Sequence, residues 1–376
     1  HEPSLWRSDG FLPDVATTSI GRVYLDDWIS FFSLELDIFN NKQYVVDTGA
    51  INILISIIFL IIASVLLYTR INKGKIDFYY LAVTFALLVN PFFLDSFQHK
   101  TGCLYILPIT AIAIISATIN TKNKIFDIFV PGLLMYFSLA VYQVGFNIFP
   151  AAMLLIFLFD FQKSYKKALQ NLGINIAKLS LATVLYKFLI LNYIEKGSFY
   201  TNNTKLFELN SDFLGNCIAR FISIFKISLF TLTESRFFII FAFIGITFFS
   251  IQYISSHKKK AWASLVLLFS LFGIIFLCCG FSVLFQDSIS EPRMYGVIGI
   301  LFLFIFHAFY ISAKTYFPSG KFIIIIPLLY FTILSHSCAA MQENQYMLCK
   351  RISINVINKL EEFGFKNGGK VAFTGT

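Results

Sequence analysis

The chain contains a series of long, continuous apolar runs that alternate with short polar connections. Ten of these runs are each close to the length that crosses the hydrocarbon core of a bilayer. They occupy residues 49–69, 79–93, 103–119, 126–141, 146–161, 172–194, 237–254, 261–285, 295–313 and 322–338. Continuous runs predict transmembrane helices, whereas an outer-membrane barrel would show short alternating segments. The sequence therefore predicts an all-α polytopic membrane protein with about ten transmembrane helices.

The composition supports a membrane protein and excludes a soluble domain. Hydrophobic residues make up 57% of the chain and charged residues 14%. A soluble domain has about 45–50% apolar and about 25% charged residues. The net charge of +9 is typical of some nucleic-acid-binding proteins. Here the Lys and Arg residues cluster between apolar runs, as cytoplasmic loops do, so we expect no nucleic-acid partner.

Basic residues occupy every second connection, which predicts the orientation of the chain. Arg70, Lys122, Lys163, Lys258 and Lys314 follow the alternate runs, whereas the other connections are mixed or acidic. This alternation places the basic connections in the cytoplasm and both ends of the chain on the outer face. The chain begins at His1 and not at Met, so we expect a further span upstream.

Three regions follow from the same reading. Residues 1–48 are predicted to be an outer-face loop whose residues 28–36 form an amphipathic helix on the membrane interface. Residues 49–340 form the transmembrane domain, within which 217–232 carries Arg220 and Lys226 and is predicted to be a second interfacial helix. Residues 341–376 show helical spacing and then a short strand at 371–374, which predicts a small, incomplete outer-face α/β piece.

The six cysteines do not form a metal-binding pattern, and we expect neither a metal nor another cofactor. Two interpretations fit Cys338 and Cys349. They form a disulfide if both face an oxidising compartment, or they are two separate small apolar residues, which is the commoner case.

Polar and ionisable residues gather in the outward connections, where each is a candidate for function. Mixed acids and bases in an outer cleft suit chemistry on a lipid phosphate, because Arg or Lys holds the anion while a carboxylate accepts a proton. The candidates are Glu2, Asp9 and Arg22 in the first connection, Asp95, Gln98, His99 and Lys100 in the second, Tyr142 and Gln143 in the third, and Glu291 and Arg293 in the last.

Each candidate also has a plainer interpretation. Glu291-Pro292-Arg293 fits a helix start with proline in the first turn and exposed ions. His99-Lys100 fits lipid headgroup contacts equally well, and Gln143 at the end of an apolar helix fits an interhelical hydrogen bond. Glu2 fits an exposed loop acid. None of these patterns is specific alone.

Several motifs together resemble one enzyme family. Asn90-Pro91-Phe92-Phe93-Leu94-Asp95 is similar to the NPYFLE loop of the GtrII-type serotype-converting glucosyltransferases of enteric bacteria and their phages. In the same order, residues 20–22 resemble that family's NGR and residues 137–143 resemble its SLSLYQ. Pro292-Arg293 resembles its late PR before a span, and residues 344–375 resemble its outer helix and strand. These matches are distributed over most of the chain.

The resemblance implies a GT-C-type enzyme of the bacterial inner membrane. Such an enzyme takes glucose from undecaprenyl-phosphate glucose at the periplasmic face and attaches it to the O-antigen of lipopolysaccharide, without a metal and with inversion. A donor synthase and a flippase are then further partners, and membrane lipid surrounds the chain. The family's FDSLPM is replaced here by residues 100–104, which implies a different sugar or acceptor specificity.

The resemblance also implies roles for the candidate residues. The family's acidic pair corresponds to His1-Glu2, so Glu2, or failing it Asp9, is the implied base. Arg22 and Arg293 would hold the departing lipid phosphate, and Asp95 and Gln143 would orient the sugar. The implied substrate-binding set is Asp95, Gln98, His99, Lys100, Tyr142, Gln143 and Glu291.

Two other functions remain open. A flippase or transporter of lipid-linked sugars would show internal repeats and charged or broken helices at the midplane, and neither is evident. An O-antigen polymerase or ligase is also multispanning and periplasmic, and it differs in its product because it changes chain length.

Overall fold

The computed structural model describes residues 36–37, 43–44, 49–72, 78–93, 102–121, 123–190, 207, 211–233, 236–284 and 295–362. These residues contain eleven α-helices: α1 (Gly49–Ile71), α2 (Phe78–Phe85), α3 (Gly102–Thr118), α4 (Lys124–Val141), α5 (Gly145–Lys163), α6 (Tyr165–Leu189), α7 (Phe213–Thr233), α8 (Arg236–Ser255), α9 (Lys260–Cys279), α10 (Val297–Tyr316) and α11 (Ile325–Glu362). Short 3-10 segments at Phe281–Leu284 and Pro318–Ile324 follow α9 and α10.

The helical, polytopic character of the chain is confirmed. Within the described residues, eight helical segments are long and apolar enough to cross a membrane. The described apolar part of α3, Ile106–Thr118, is shorter than these eight. The run at 79–93 does not form one continuous helix, because α2 ends at Phe85 and turns lead on to Phe93. The predicted number of ten spans therefore stays a prediction.

Helices α5 and α10 lie at the centre of the bundle, and most of their residues are buried. Helix α5 packs against α3, α6, α9 and α10, and α10 packs against α8. The peripheral helices expose large apolar side chains, as Leu54 on α1, Phe243 on α8 and Phe272 on α9 illustrate. Because hydrocarbon surrounds a polytopic protein, this outward apolar surface is the expected lipid-facing surface.

A buried polar network joins the helices at one end of the bundle, which we call the basic end. It lies where α1, α3 and α5 finish and where α4 and α6 begin. The guanidinium of Arg70 donates from Nη1 and Nη2 to Asp160 at 2.9 and 2.5 Å. Asn171 donates to the same carboxylate at 2.6 Å, and Asn120 donates to Asn171 at 2.9 Å. The network therefore ties α1, α5 and α6 to the residues that follow α3.

A buried lysine extends the polar contacts of the basic end. Nζ of Lys178 on α6 donates to the carbonyl oxygens of Ser116 and Ile119, at 3.2 and 2.7 Å. The last carbonyls of a helix have no partner within that helix. The ammonium group of Lys178 therefore caps α3, and the carbonyl oxygens accept its N–H donors. Lys163 donates to the carbonyl of Ile71 at 3.3 Å and caps α1 in the same way.

Helix α11 runs without a break through residue 340, where the transmembrane region was predicted to end. Cys338 and Cys349 lie eleven residues apart on it, which corresponds to about 16 Å along a helix axis. The side chains of these two cysteines lie outside the described part of the chain, so both interpretations of them remain predictions. The strand predicted at 371–374 lies outside the described residues.

In the first region, the described residues form one small antiparallel pair of strands, β1 (Leu36–Asp37) and β2 (Gln43–Tyr44), with Leu36 opposite Tyr44. The amphipathic helix predicted there at residues 28–36 otherwise lies outside the described residues. Leu36 itself belongs to β1.

Candidate functional site

Two of the candidate site residues, Tyr142 and Gln143, fall within the part of the chain that the structure describes. The others lie outside the described residues: Glu2, Asp9, Arg22, Asp95, Gln98, His99, Lys100, Glu291 and Arg293. Several described residues directly precede or follow the segments that contain them. The structure shows how these flanking residues are arranged relative to one another.

The first flank is the turn Asn90-Pro91-Phe92-Phe93, which leads into the segment that contains Asp95. Oδ1 of Asn90 accepts from the backbone N–H of Phe92 at 3.1 Å, and its carbonyl accepts from the N–H of Phe93 at 3.0 Å. This is the turn that an Asn-Pro dipeptide favours, because the Asn side chain replaces a backbone acceptor and Pro fixes the next φ. Asn90, Phe92 and Phe93 are all buried.

The second flank is Tyr295-Gly296 at the start of α10, which follows the segment that contains Arg293. The ring of Tyr295 packs edge-on against that of Phe92, with 5.5 Å between the ring centroids. A Cβ atom placed on Gly296 would lie 3.3 Å from the ring of Phe93 and from the side chain of Ile148. Glycine at this position therefore allows the turn and α10 to approach closely.

The third element is Tyr142-Gln143, between α4 and α5. Nε2 of Gln143 donates to the hydroxyl of Tyr186 on α6 at 3.0 Å, and the ring of Tyr186 packs edge-on against Phe146. Gln143 thus makes an interhelical hydrogen bond, which is the plainer of its two interpretations. Tyr142 is 5% exposed.

The end of α9 meets the same region through Gly280. Its φ is +68°, a backbone conformation that glycine adopts at little cost. A Cβ atom at this position would also overlap the amide of Asn147 on the first turn of α5. Asn147 therefore packs directly on the backbone that ends α9.

Four parts of the chain meet at this end of the bundle, opposite the basic end. We call it the motif end and define it by Asn90–Phe93, Tyr142–Asn147, Gly280 and Tyr295–Gly299. Its described side chains include aromatic rings, amides and hydroxyls, which can stack on a sugar or an isoprenoid and hydrogen-bond to hydroxyl and phosphate oxygens. The described residues contain no group of three or more His, Cys, Asp or Glu side chains that could hold a metal ion.

Sequence reasoning missed three residues of this region, Asn147, Tyr186 and Gly280. A glycine after the last apolar residue of a run is a helix-end signal that could have identified Gly280. Asn147 follows Gln143 by four residues but lies inside a long apolar helix, whereas the proximity of Tyr186 to the motif end follows from packing between helices distant in sequence. No sequence pattern indicates that proximity.

Comparison with known proteins gives one partial similarity. The chain is 25% identical over 142 residues to the "Uncharacterized 55.3 kDa protein in gtrB 5'region" of Salmonella phage P22. The matched region covers 37% of this chain and 29% of the phage protein. No protein-family model matches the chain, and no solved structure matches it. What this similarity supports is a loose link to a phage gtr-region protein.

Proposed function

We propose that this protein is an integral-membrane glycosyltransferase. It moves a glucosyl group from undecaprenyl-phosphate glucose to the O-antigen of lipopolysaccharide and so modifies the serotype. The observation that carries the proposal is the meeting of the motif-bearing ends. Phe92 and Phe93 of the Asn-Pro turn contact Tyr295 and Gly296, while α5, which begins just after Tyr142-Gln143, contacts Gly296 through Ile148. Three motifs that are distant in the sequence therefore share one end of the bundle.

The similarity to the phage protein supports the same proposal in a weaker way. Its printed name places it in the region 5′ of gtrB, and the prefix gtr also occurs in the name of the GtrII-type family that the motifs resemble. The matched region covers less than a third of that protein, so the activity of the present chain is a proposal and is not transferred from the phage protein.

The proposed reaction is an inverting displacement. The acceptor hydroxyl oxygen forms a bond to the anomeric carbon while the bond from that carbon to the phosphate oxygen breaks. Glu2, or failing it Asp9, takes the hydroxyl proton, and the lipid phosphate leaves with the electron pair. Arg22 and Arg293 hold that phosphate.

The sugar-orienting roles belong to the motif end. We assign them to Asp95 and Gln143, and we place Gln98, His99, Lys100, Tyr142 and Glu291 in the substrate-binding set. Asp95 follows Phe93 by two residues, and Arg293 precedes Tyr295 by two. A chain spans at most about 3.6 Å per residue, so each of these side chains is attached close to a described residue. The contacts between the flanking residues therefore support a common location for Asp95 and Arg293.

The proposed location is the bacterial inner membrane, with the motif end in the periplasm. Reporter fusions test this orientation directly. A periplasm-dependent reporter joined after Gln143 should be active, and the same reporter joined after Asn120 should be inactive. The reverse pattern would contradict the proposed orientation, because undecaprenyl-linked glucose and O-antigen meet in the periplasm.

Mass spectrometry of lipopolysaccharide tests the activity. Cells that express this protein together with a donor synthase and flippase should carry one added hexose on each modified O-antigen repeat. Glu2→Gln, Asp9→Asn and the double variant should be compared at equal protein levels, and at least the double variant should lose the hexose. Unmodified repeats with altered chain length would favour a polymerase or ligase. Full modification by the double variant would remove the assignment of the base.

A further inference from the structure

Asn90 carries a buried polar atom that the fold leaves without a partner. Its side chain is 1% exposed, and its Oδ1 and backbone carbonyl both hold the turn that follows. Among the residues that the structure describes, Nδ2 of Asn90 has no hydrogen-bond partner. A buried donor left unpaired costs about 1–3 kcal/mol, and a ligand oxygen that accepts from it would remove that cost.

The unpaired amide points at the beginning of a long helix. A Cβ atom placed on Gly299, in the first turn of α10, would lie 3.4 Å from Nδ2 of Asn90 and 3.2 Å from the carbonyl of Leu87. Glycine at position 299 therefore lets the Leu87 carbonyl pack closely on the first turn of α10, with the Asn90 amide beside it. Helix α10 is 20 residues long.

The beginning of α10 has the properties of an anion-binding helix terminus. Among the described residues no side chain caps its first N–H groups, and its first turn contains no acidic residue. The aligned peptide dipoles place a partial positive charge there, and natural helix termini of this kind bind phosphate. Tyr295, Val297 and Ile298 are all buried, so the charge is screened little by water.

We propose that the Asn90 amide and the first turn of α10, Tyr295–Gly299, form a binding site for a phosphate group. The amide donates to a phosphate oxygen, and the helix terminus stabilises the negative charge. This inference rests on the proposed function only for the identity of the ligand. If that function holds, the phosphate belongs to the isoprenoid donor and to the isoprenoid phosphate left after transfer. Phosphate binding itself does not require glucosyl transfer.

The test measures binding and not transfer. The purified protein in detergent is titrated with farnesyl phosphate, farnesol or sodium phosphate, and the melting temperature reports the binding. Farnesyl phosphate should raise the melting temperature and farnesol should not. A response to sodium phosphate of the same size would identify free phosphate, and not a lipid headgroup, as the source of the anion.

The variant Asn90→Ser separates the donor from the turn. Serine can accept the hydrogen bond from the N–H of Phe92, as Ser residues do in such turns, but it has no amide. Its apparent Kd for farnesyl phosphate should rise by about ten- to a hundredfold, as expected for loss of a hydrogen bond to a charged group. Asn90→Asp retains the acceptor and replaces the donor by a negative oxygen, so its response should be smaller still.

Asn123→Asp is the matched control. Asn123 caps α4 through its Oδ1, which accepts from the N–H groups of Ile125 and Phe126, and Asp is an equally good cap. This control should respond to farnesyl phosphate as the wild type does. A folded Asn90→Ser protein with wild-type affinity, or an equal response to farnesol, would overturn the site. Hexose transfer without any role for Asn90 would overturn this site and leave the proposed function standing.

Discussion

Two buried polar groups at opposite ends of the bundle differ in their hydrogen-bond partners. At the basic end, the carboxylate of Asp160 accepts hydrogen bonds from both terminal nitrogens of Arg70 and from Asn171. At the motif end, the Asn90 amide has no partner among the described residues, although it is equally buried. The Asp160 carboxylate is thus fully engaged by side chains of the bundle, although Gln252 Oε1 and His257 Nε2 at the same end lack a partner among the described residues. A polar group left without one is the better candidate for contact with a ligand.

The largest effect is expected at the basic end, from Asp160→Ala. This change leaves the Arg70 guanidinium and the Asn171 amide without their acceptor inside the bundle, and breaking a buried ion pair in this way typically costs about 3–5 kcal/mol. Thermal unfolding in detergent should show a large loss of stability. The exposed Lys258→Ala at the same end should change stability by less than about 0.5 kcal/mol. Equal stability of the two variants would show that the network does not hold the helices.

A smaller loss is expected at the motif end, from Gly280→Ala. Gly280 has a φ of +68° and a ψ of −171°, a conformation that costs alanine about 1–3 kcal/mol, and the alanine Cβ also displaces the Asn147 amide. The matched control is Gly173→Ala on α6, where a Cβ atom would meet nothing within 4 Å. There the change should stabilise the protein by about 0.5–1 kcal/mol, because alanine is the better helix former. A lower melting temperature for Gly280→Ala together with a higher one for Gly173→Ala would confirm the close packing of α5 on α9.

The smallest stability effect, and the sharpest functional one, comes from the bond between Gln143 and Tyr186. Gln143→Leu and Tyr186→Phe each remove this bond, and membrane interhelical hydrogen bonds are worth about 0.6 kcal/mol on average. The two variants should therefore lose similar, small amounts of stability. If Gln143 orients the sugar, only Gln143→Leu loses hexose transfer in the lipopolysaccharide assay. Equal transfer by both variants would reduce Gln143 to a packing residue.

The sequence predicted several helices well because charged or polar residues mark where their apolar runs begin and end. The run at 146–161 is α5, Gly145–Lys163, and the run at 237–254 is α8, Arg236–Ser255, each bounded by charged or polar residues. The run at 79–93 was predicted less well. Residues 86–89 are apolar, and hydropathy is the same whether such residues form a turn or a helix. Hydropathy therefore could not show that the helix ends at Phe85.

The candidate site was predictable only in part. The Asn-Pro turn, Tyr142-Gln143 and the approach to α10 were identified as outward, polar connections, and the structure brings their described residues to one end. The partners could not be predicted, because the contact of Gln143 with Tyr186 and that of Asn147 with Gly280 depend on how distant helices pack. The unpaired Asn90 amide was also invisible in the sequence, since only coordinates reveal which polar atoms lack a partner.

The central claim is that the motif end, and not the basic end, receives the lipid-linked substrate. A diazirine-bearing analogue of polyprenyl-phosphate glucose, with the diazirine beside the phosphate, tests it in native membranes. After illumination, mass spectrometry of the peptides should locate adducts on residues 87–93 and 295–302, and excess undecaprenyl phosphate should abolish them. Competable adducts confined to residues 158–163 or 252–260, at the basic end, would contradict the claim.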